Sequence, residues 1–198
     1  GYTARALMED GWQVAAVVRA SSQVDVLPAA LRENIQFYNA DRMELPKIVR
    51  EAAPDVVFHL ATYYTTIHSY EEIDELIGSN VTFGTKLLDA MAANGVTRLV
   101  YARSSWQYYR DDSYEPANLY AASKEAFDAI VKFYTAARGM QTIRLTLFDT
   151  YGEDDRRNKL LAILPQLTAE GRRLALSPGE QQVDFVHAED AARAFLLA

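Results

Sequence analysis

The chain of 198 residues contains no cysteine. Disulfides, thiol nucleophiles and cysteine-bound zinc are therefore excluded. Histidine is scarce as well. His59, His68 and His187 lie far apart and lack metal-ligand spacing, so no bound metal is expected. No apolar run approaches the ~18 residues that suggest a membrane span, and no signal peptide is visible; a cytoplasmic protein with no membrane partner is the expectation. Positive charge is in short supply, with 20 Lys and Arg against 27 Asp and Glu and a net charge of −7. Without a basic stripe to neutralise phosphates, nucleic acid is not an expected partner, although a small anionic ligand needs only a few local cations. Internal repeats, low-complexity tracts and long linkers are also missing. So is an initiator methionine: the chain opens on Gly1-Tyr2, enters a helix almost at once and stops in another at Ala198. Both ends are read as cut.

What is present is a regular alternation. Short runs rich in Val, Ile and Leu at 14–18, 55–61, 98–102 and 142–148, with a shorter one at 35–38, read as strands buried on both faces of a parallel sheet. Between them, amphipathic stretches predict helices at about 3–10, 43–52, 71–94, 118–138 and 158–170. Gly11, Gly95, Gly139 and Gly171 each follow a helical stretch, where a left-handed C-cap is wanted. The alternation implies right-handed crossovers and a doubly wound, Rossmann-type α/β fold. After Gly152 the character changes, with a charged loop and short strand candidates at 174–176 and 184–186. Residues 1–152 are assigned to a nucleotide-binding domain. Residues 153–198 are assigned to the start of a small substrate lobe, with a strand and helix returning to the first domain.

The chemistry-bearing residues fall at the expected carboxyl ends of strands, where open α/β sheets bind ligands. Tyr120 and Lys124 are one helical turn apart on one face, and an ammonium beside a phenol favours the phenolate. Ser105, at the end of the strand before, can hydrogen-bond the same substrate oxygen. With 12 tyrosines, a chance Tyr-x-x-x-Lys is common enough that context must decide. Gly1-Tyr2-Thr3 reads as the second half of a glycine-rich loop whose amides approach a pyrophosphate. Arg19, closing a strand and followed by Ser21 and Ser22, suits a ribose 2′-phosphate and points to NADP(H) rather than NAD(H). Asp41 either accepts a hydrogen bond from adenine or caps the following helix. His59 is read as a structural histidine. Asn80, inside a helix, either bonds back to the chain or orders the site's backbone and water.

In order along nearly the whole chain, these segments resemble the extended short-chain dehydrogenase/reductases, the NAD(P)-dependent nucleotide-sugar epimerases, dehydratases and ketoreductases. The resemblance runs through Asp-Val-Val-Phe-His-Leu-Ala (55–61), Asn-Val-x-x-Gly-Thr (80–85), Tyr120-x-x-x-Lys124, Phe-Asp-Thr-Tyr-Gly (148–152) and Asp-Phe-Val-His-Ala-Glu-Asp (184–190). It implies Tyr120 as acid/base, Lys124 lowering its pKa and holding the nicotinamide ribose, and Ser105 steadying the reacting oxygen. It also implies a cofactor set that adds Arg42, Leu60, Ala61 and Thr62 to Gly1, Tyr2, Thr3, Arg19, Ser21, Asp41 and Asn80. Trp106, Gln107, Asp149 and Arg156 are implied as substrate-binding. Dehydratases of the family carry Asp-Glu directly after the Ser/Thr, where Trp106 and Gln107 stand here, so elimination is not expected. Asp149 and Val183 replace an asparagine and an arginine that usually touch the substrate's phosphates; Arg156, Arg157 and Lys159 are candidates to substitute.

Finer features are most similar to CDP-abequose synthase-like sugar-nucleotide 4-ketoreductases of polysaccharide biosynthesis: Ser-Trp-Gln-x-Tyr, Asn-Leu-Tyr-Ala-Ala-Ser-Lys and Ser-Pro-Gly-Glu-Gln (177–181). The implied activity is NADP(H)-dependent reduction of a 4-keto nucleotide sugar. An NAD-dependent nucleotide-sugar 4-epimerase is the alternative, and a non-catalytic nucleotide-binding member of the fold is the third reading. The family also implies a homodimer through helices 71–94 and 118–138. In the family's strand order the first strand, central in the sheet, is missing here. The strands at 14–18 and 55–61 are therefore expected not to pair, and the isolated chain to bind NADPH weakly and be inactive.

Overall fold

A computed structural model describes residues 1–109, 113–153, 155, 157, 159–176, 178–180 and 182–198. Every strand pairing among them is parallel. β1 (Val14–Val18) lies beside β2 (Ile35–Asn39) with Val14 opposite Ile35. β3 (Val57–His59), β4 (Arg98–Ser104) and β5 (Gln141–Leu147) form a second sheet in that order, with Leu99 opposite both Val57 and Thr142. β6 (Asp149–Tyr151) and β7 (Phe185–His187) make a third pair. β1 and β3 belong to different sheets and share no ladder.

The helices are α1 (Tyr2–Glu9), α2 (Ala29–Arg32), α3 (Leu45–Ala52), α4 (Ile73–Ile77), α5 (Phe83–Ala93), α6 (Leu119–Arg138), α7 (Leu160–Ala169) and α8 (Ala188–Leu197). The α/β architecture with parallel strands is the one the alternation predicts, and the differences are local. The helix expected at 71–94 is a 3₁₀ turn, α4, a π-helical turn at Gly78–Thr82 and α5 in succession. The strand expected at 55–61 forms its ladder only over Val57–His59, because β3 has a single neighbour. Residues 174–176 find no partner strand, and Leu176 is exposed. β6 is too short and too polar to show a period of two, and forms because β7 runs alongside it.

The core lies between the β3–β4–β5 sheet and α3, α5 and α6, where Ile48, Leu88, Met91, Leu99, Phe127 and Val131 are buried. α6 starts where the Asn118 side chain accepts the amide of Ala121 at 2.9 Å, and ends at Gly139, whose φ of 67° a Cβ would disfavour. Gly84 permits the closest approach in this core. A Cβ there would collide with the Phe127 ring, which in turn meets His59 and Tyr101 edge-on at 5.1 and 5.7 Å. The apolar stripe of α6 serves this core: Phe127, Val131 and Tyr134 are buried within the chain, leaving Phe133 as the exposed aromatic of the helix.

Candidate functional site

A cavity of about 460 Å³ opens where the carboxyl ends of β3, β4 and β5 meet the beginnings of α1 and α6. The Asn118 cap places Tyr120 in the first turn of α6 and Lys124 one turn on, both facing the cavity and both nearly buried. Burial pushes the Tyr120 phenol above its ordinary range, while hydrogen bonding with the hydroxyls of Thr62 and Ser104 pulls it back. Burial also brings the Lys124 ammonium down to about 8, against the opposing pull of Asp128. Its Nζ lies 3.4 Å from the Ala102 carbonyl oxygen, to which it donates, and 5.8 Å from the centre of the Tyr120 ring. His59 lies behind this pair. Burial first, and the charge of Lys124 second, depress it to about 3, so it is a neutral packing ring at physiological pH.

Two expected residues are displaced from their roles. The serine against Tyr120 is Ser104, not Ser105. β4 runs to Ser104, two residues beyond the expected strand end, and Ser105 starts a 3₁₀ turn, Ser105–Gln107, away from the cavity lining. Gln107, expected at the substrate, is wholly buried: its Oε1 accepts the Ser104 amide at 3.0 Å and its Nε2 donates to Glu125 at 2.7 Å. Trp106 does line the cavity. It meets the edge of Tyr64 at 6.0 Å, and Tyr64 meets Tyr120 at 5.1 Å, so the three rings form one aromatic wall. Sequence reasoning missed Tyr64. The available signal was a Tyr-Tyr pair just beyond the carboxyl end of a strand.

Asn80 does not reach into the cavity either. Its Oδ1 accepts from the Tyr63 amide at 2.7 Å and the Thr62 hydroxyl at 3.0 Å. Its Nδ2 donates to the Tyr63 carbonyl and the Ser123 hydroxyl, both at 3.0 Å. Each amide atom is thus doubly engaged, leaving nothing for a cofactor. Asn80 belongs to the backbone-ordering alternative: it ties the loop carrying Thr62 to the helix carrying Tyr120.

Of the remaining cofactor candidates, Gly1, Tyr2, Thr3, Leu60 and Thr62 line the cavity and Ala61 does not. α1 begins at this cavity, which Gly1, Tyr2, Thr3 and Ala4 line. Arg19, Ser21, Asp41 and Arg42 gather in a separate corner beyond β1 and β2. The Asp41 carboxylate accepts the Ala20 amide at 2.6 Å. It caps no helix, since α3 begins after Glu44. Arg19 reaches Glu75 at 3.8 Å, with both side chains more than half exposed. On the substrate side, Asp149 lines the cavity and pairs with Lys159 at 2.6 Å. Arg157, also at the cavity, is held by Asp155 and the Thr150 carbonyl. Arg156, and Ser177 and Gln181 of the 177–181 motif, lie outside the described residues.

The set can hold an alcohol or ketone oxygen against a phenol, with two hydroxyls and an ammonium nearby. Among the described residues, no group of His, Asp and Glu is placed to hold a metal, and no helix is long and apolar enough to cross a membrane.

Comparison with known proteins fits this geometry. The family model described as "NAD dependent epimerase/dehydratase family" matches residues 1–198. UDP-glucose 4-epimerase of Streptomyces lividans is 27% identical over 216 residues, covering 92% of this chain and 65% of the relative. CDP-abequose synthase of Yersinia pseudotuberculosis is 24% identical over 147 residues, covering 74% of this chain and 51% of the relative. The chain thus spans between about half and two thirds of these relatives. Among solved structures, UDP-glucose 4-epimerase of Thermus thermophilus in complex with NAD superposes with a TM-score of 0.83 at 25% identity, covering 100% of this chain and 70% of that one.

Proposed function

Because the chain belongs to the NAD dependent epimerase/dehydratase family, we propose that the protein interconverts the C4 epimers of a nucleotide sugar by transient oxidation and re-reduction, with NAD as cofactor. The observation that carries this reading is the buried Tyr120 phenol, set between the hydroxyls of Thr62 and Ser104 and one turn from Lys124. The start of α1 at the cavity wall and the inward Lys124 suit a dinucleotide. The amides of Tyr2, Thr3 and Ala4 would hold its phosphates, and Thr62 and Lys124 its nicotinamide end. A nicotinamide held there would supply the hydride chemistry.

The chain's own residues do the rest. Tyr120 accepts the proton of the sugar hydroxyl and later gives it back, and Ser104 and Thr62 keep the phenol oxygen and the substrate oxygen in line. Lys124 favours the phenolate electrostatically. Tyr64 and Trp106 form an apolar wall that keeps water from one side of the cavity. With Ser104 beside Tyr120, the next two residues are Ser105 and Trp106, neither of them acidic, so no side chain there can drive elimination.

Arg19 favours a second reading, NADP(H)-dependent reduction of a 4-keto nucleotide sugar, because it follows the end of β1 with its side chain exposed and its backbone amide bonded to the Ser22 hydroxyl at 3.0 Å. The two readings separate in one assay. Incubation of the full-length protein with UDP-glucose and NAD should yield the C4 epimer by NMR with no net change in cofactor absorbance. Consumption of NADPH with a 4-keto sugar nucleotide, and no epimer, would transfer the assignment to the reductase. A 4-keto-6-deoxy product from a 6-hydroxy substrate would overturn both. Arg19→Ala should weaken NADPH binding by roughly tenfold to a hundredfold, the scale of one charge-assisted hydrogen bond, and leave NADH nearly unchanged. Equal losses for the two cofactors in calorimetry, or none, would remove Arg19 from the 2′-phosphate site.

A further inference from the structure

From the cavity wall at Arg103 into α6 runs a second set of buried charged side chains that the proposed chemistry does not use. Arg103, on β4, and Asp128, on α6, are 8% and 1% exposed, and Arg103 Nε faces Asp128 Oδ2 at 2.5 Å. Neither of these two atoms has another hydrogen-bond partner. Asp128 Oδ1 accepts the Tyr101 hydroxyl at 2.7 Å. Arg103 Nη2 donates to Glu125 at 3.1 Å and to the Tyr108 hydroxyl at 2.6 Å. Glu125 also accepts from Gln107, whose other amide atom holds the Ser104 amide. The chain of contacts runs from the backbone of Ser104 through Gln107, Glu125 and Arg103 to Asp128. It fastens the end of β4 to α6 one turn beyond Lys124.

We propose that Asp128 is a positioning residue: through Arg103 it fixes the strand end carrying Ser104 to the helix carrying Tyr120, and it supplies the negative charge that balances Lys124 from behind. The reasoning is geometric. Tyr120, Lys124 and Asp128 succeed one another at intervals of four on α6 and so share a face. Lys124 meets His59 from β3, neutral at physiological pH, and the Ala102 carbonyl from β4; Tyr120 lies one turn before it, and Arg103 and Tyr101 approach from β4 on the far side of Asp128. Asp128 is the carboxylate that acts on Lys124, by charge and not by direct contact. The role in catalysis rests on reading Tyr120 and Lys124 as the reacting pair, whereas the measurement below needs neither cofactor nor substrate.

The test is competitive acetylation of the protein across pH, with Lys124 reactivity read by mass spectrometry. Asp128→Asn keeps the shape and can still accept from Tyr101, but removes the charge. The pH of half-maximal Lys124 labelling should fall by about one unit, a tenfold change in its protonation equilibrium. Arg103→Gln, which leaves Asp128 in place, should not lower it. Because Asp128→Asn leaves the buried Arg103 with Glu125 as its one carboxylate partner, the double variant Asp128→Asn/Arg103→Gln serves where the single variant does not fold, and the same fall is expected. An unchanged Lys124 midpoint in the folded single or double variant would overturn the proposal, as would an equal fall in Arg103→Gln. Failure of the epimerase assay with the expected labelling shift would count against the proposed function alone.

Discussion

Tyr120→Phe should lower turnover by at least ~10², with cofactor affinity little altered. The ring keeps its packing against Tyr64, and the cation of Lys124 still faces it, so the substitution removes a proton carrier without opening the site. The neighbouring hydroxyls of Thr62 and Ser104 cannot stand in. As aliphatic alcohols they are far weaker acids than a phenol, and their place is to orient the phenol oxygen. Steady-state kinetics together with a cofactor titration check this: loss confined to KM, or turnover within a few-fold of the original, would refute the acid/base role.

Lys124→Met should make the protein more stable while disabling it. The lysine falls from an ordinary 10.5 to about 8 because its charge is buried. Below pH 8 the folded and unfolded chains are both protonated there, and the fold carries the full cost of burying the charge. As pH rises from 8 toward 10.5 the folded state releases its proton first, and the cost fades. The difference of 2.5 pKa units (10.5 less 8), at about 1.4 kcal/mol per unit, gives a cost of about 3 kcal/mol at neutral pH. Methionine fills a similar volume without charge, and Asp128 keeps its pairing with Arg103. Denaturant titration of Lys124→Met should therefore show a gain of about 2–3 kcal/mol at pH 7 that disappears by about pH 10.5. Tyr101 and Tyr120, whose values burial raises, act in the opposite sense only above pH 10. A destabilised Lys124→Met at pH 7 would contradict this account.

The order of strands and helices was legible because short apolar runs alternate with amphipathic stretches; burial on both faces, expected of every strand, holds for β4 alone, while β1 and β5 alternate between half-buried and exposed residues. Tyr120 and Lys124 were legible for a similar reason: helical spacing fixes which residues share a face before any tertiary contact is known. What failed depended on registers that spacing does not set. Ser104 and Ser105 differ by one residue in chemistry-neutral sequence, and only the ladder with β5, which pairs Ser104 with Leu147, decides which hydroxyl meets the phenol. Gln107 was placed at the substrate by the family resemblance, at the position where dehydratases carry a glutamate. The turn folds it inward onto Glu125, a partner 18 residues away that no local pattern announces. Asn80 was recognised as needing a reason, but its four partners come from a loop and a second helix.

The π-helical turn at Gly78–Thr82 carries a consequence for how this chain can vary in length. Such a turn holds one residue more than the α-helical spacing around it allows. Excising a single residue there would let α4 and α5 fuse into an unbroken α-helix, an apparent gain in regularity. Because the wider turn absorbs that extra residue, the helices on either side would stay nearly in place while the residues inside the turn shift. Asn80 would swing off Tyr63 and Ser123, the Thr62 hydroxyl would lose its tether, and the loop bearing Tyr64 would come free of α6. A deletion or insertion of one residue there is therefore not neutral: the segment measures length, and the site is what it is measured against.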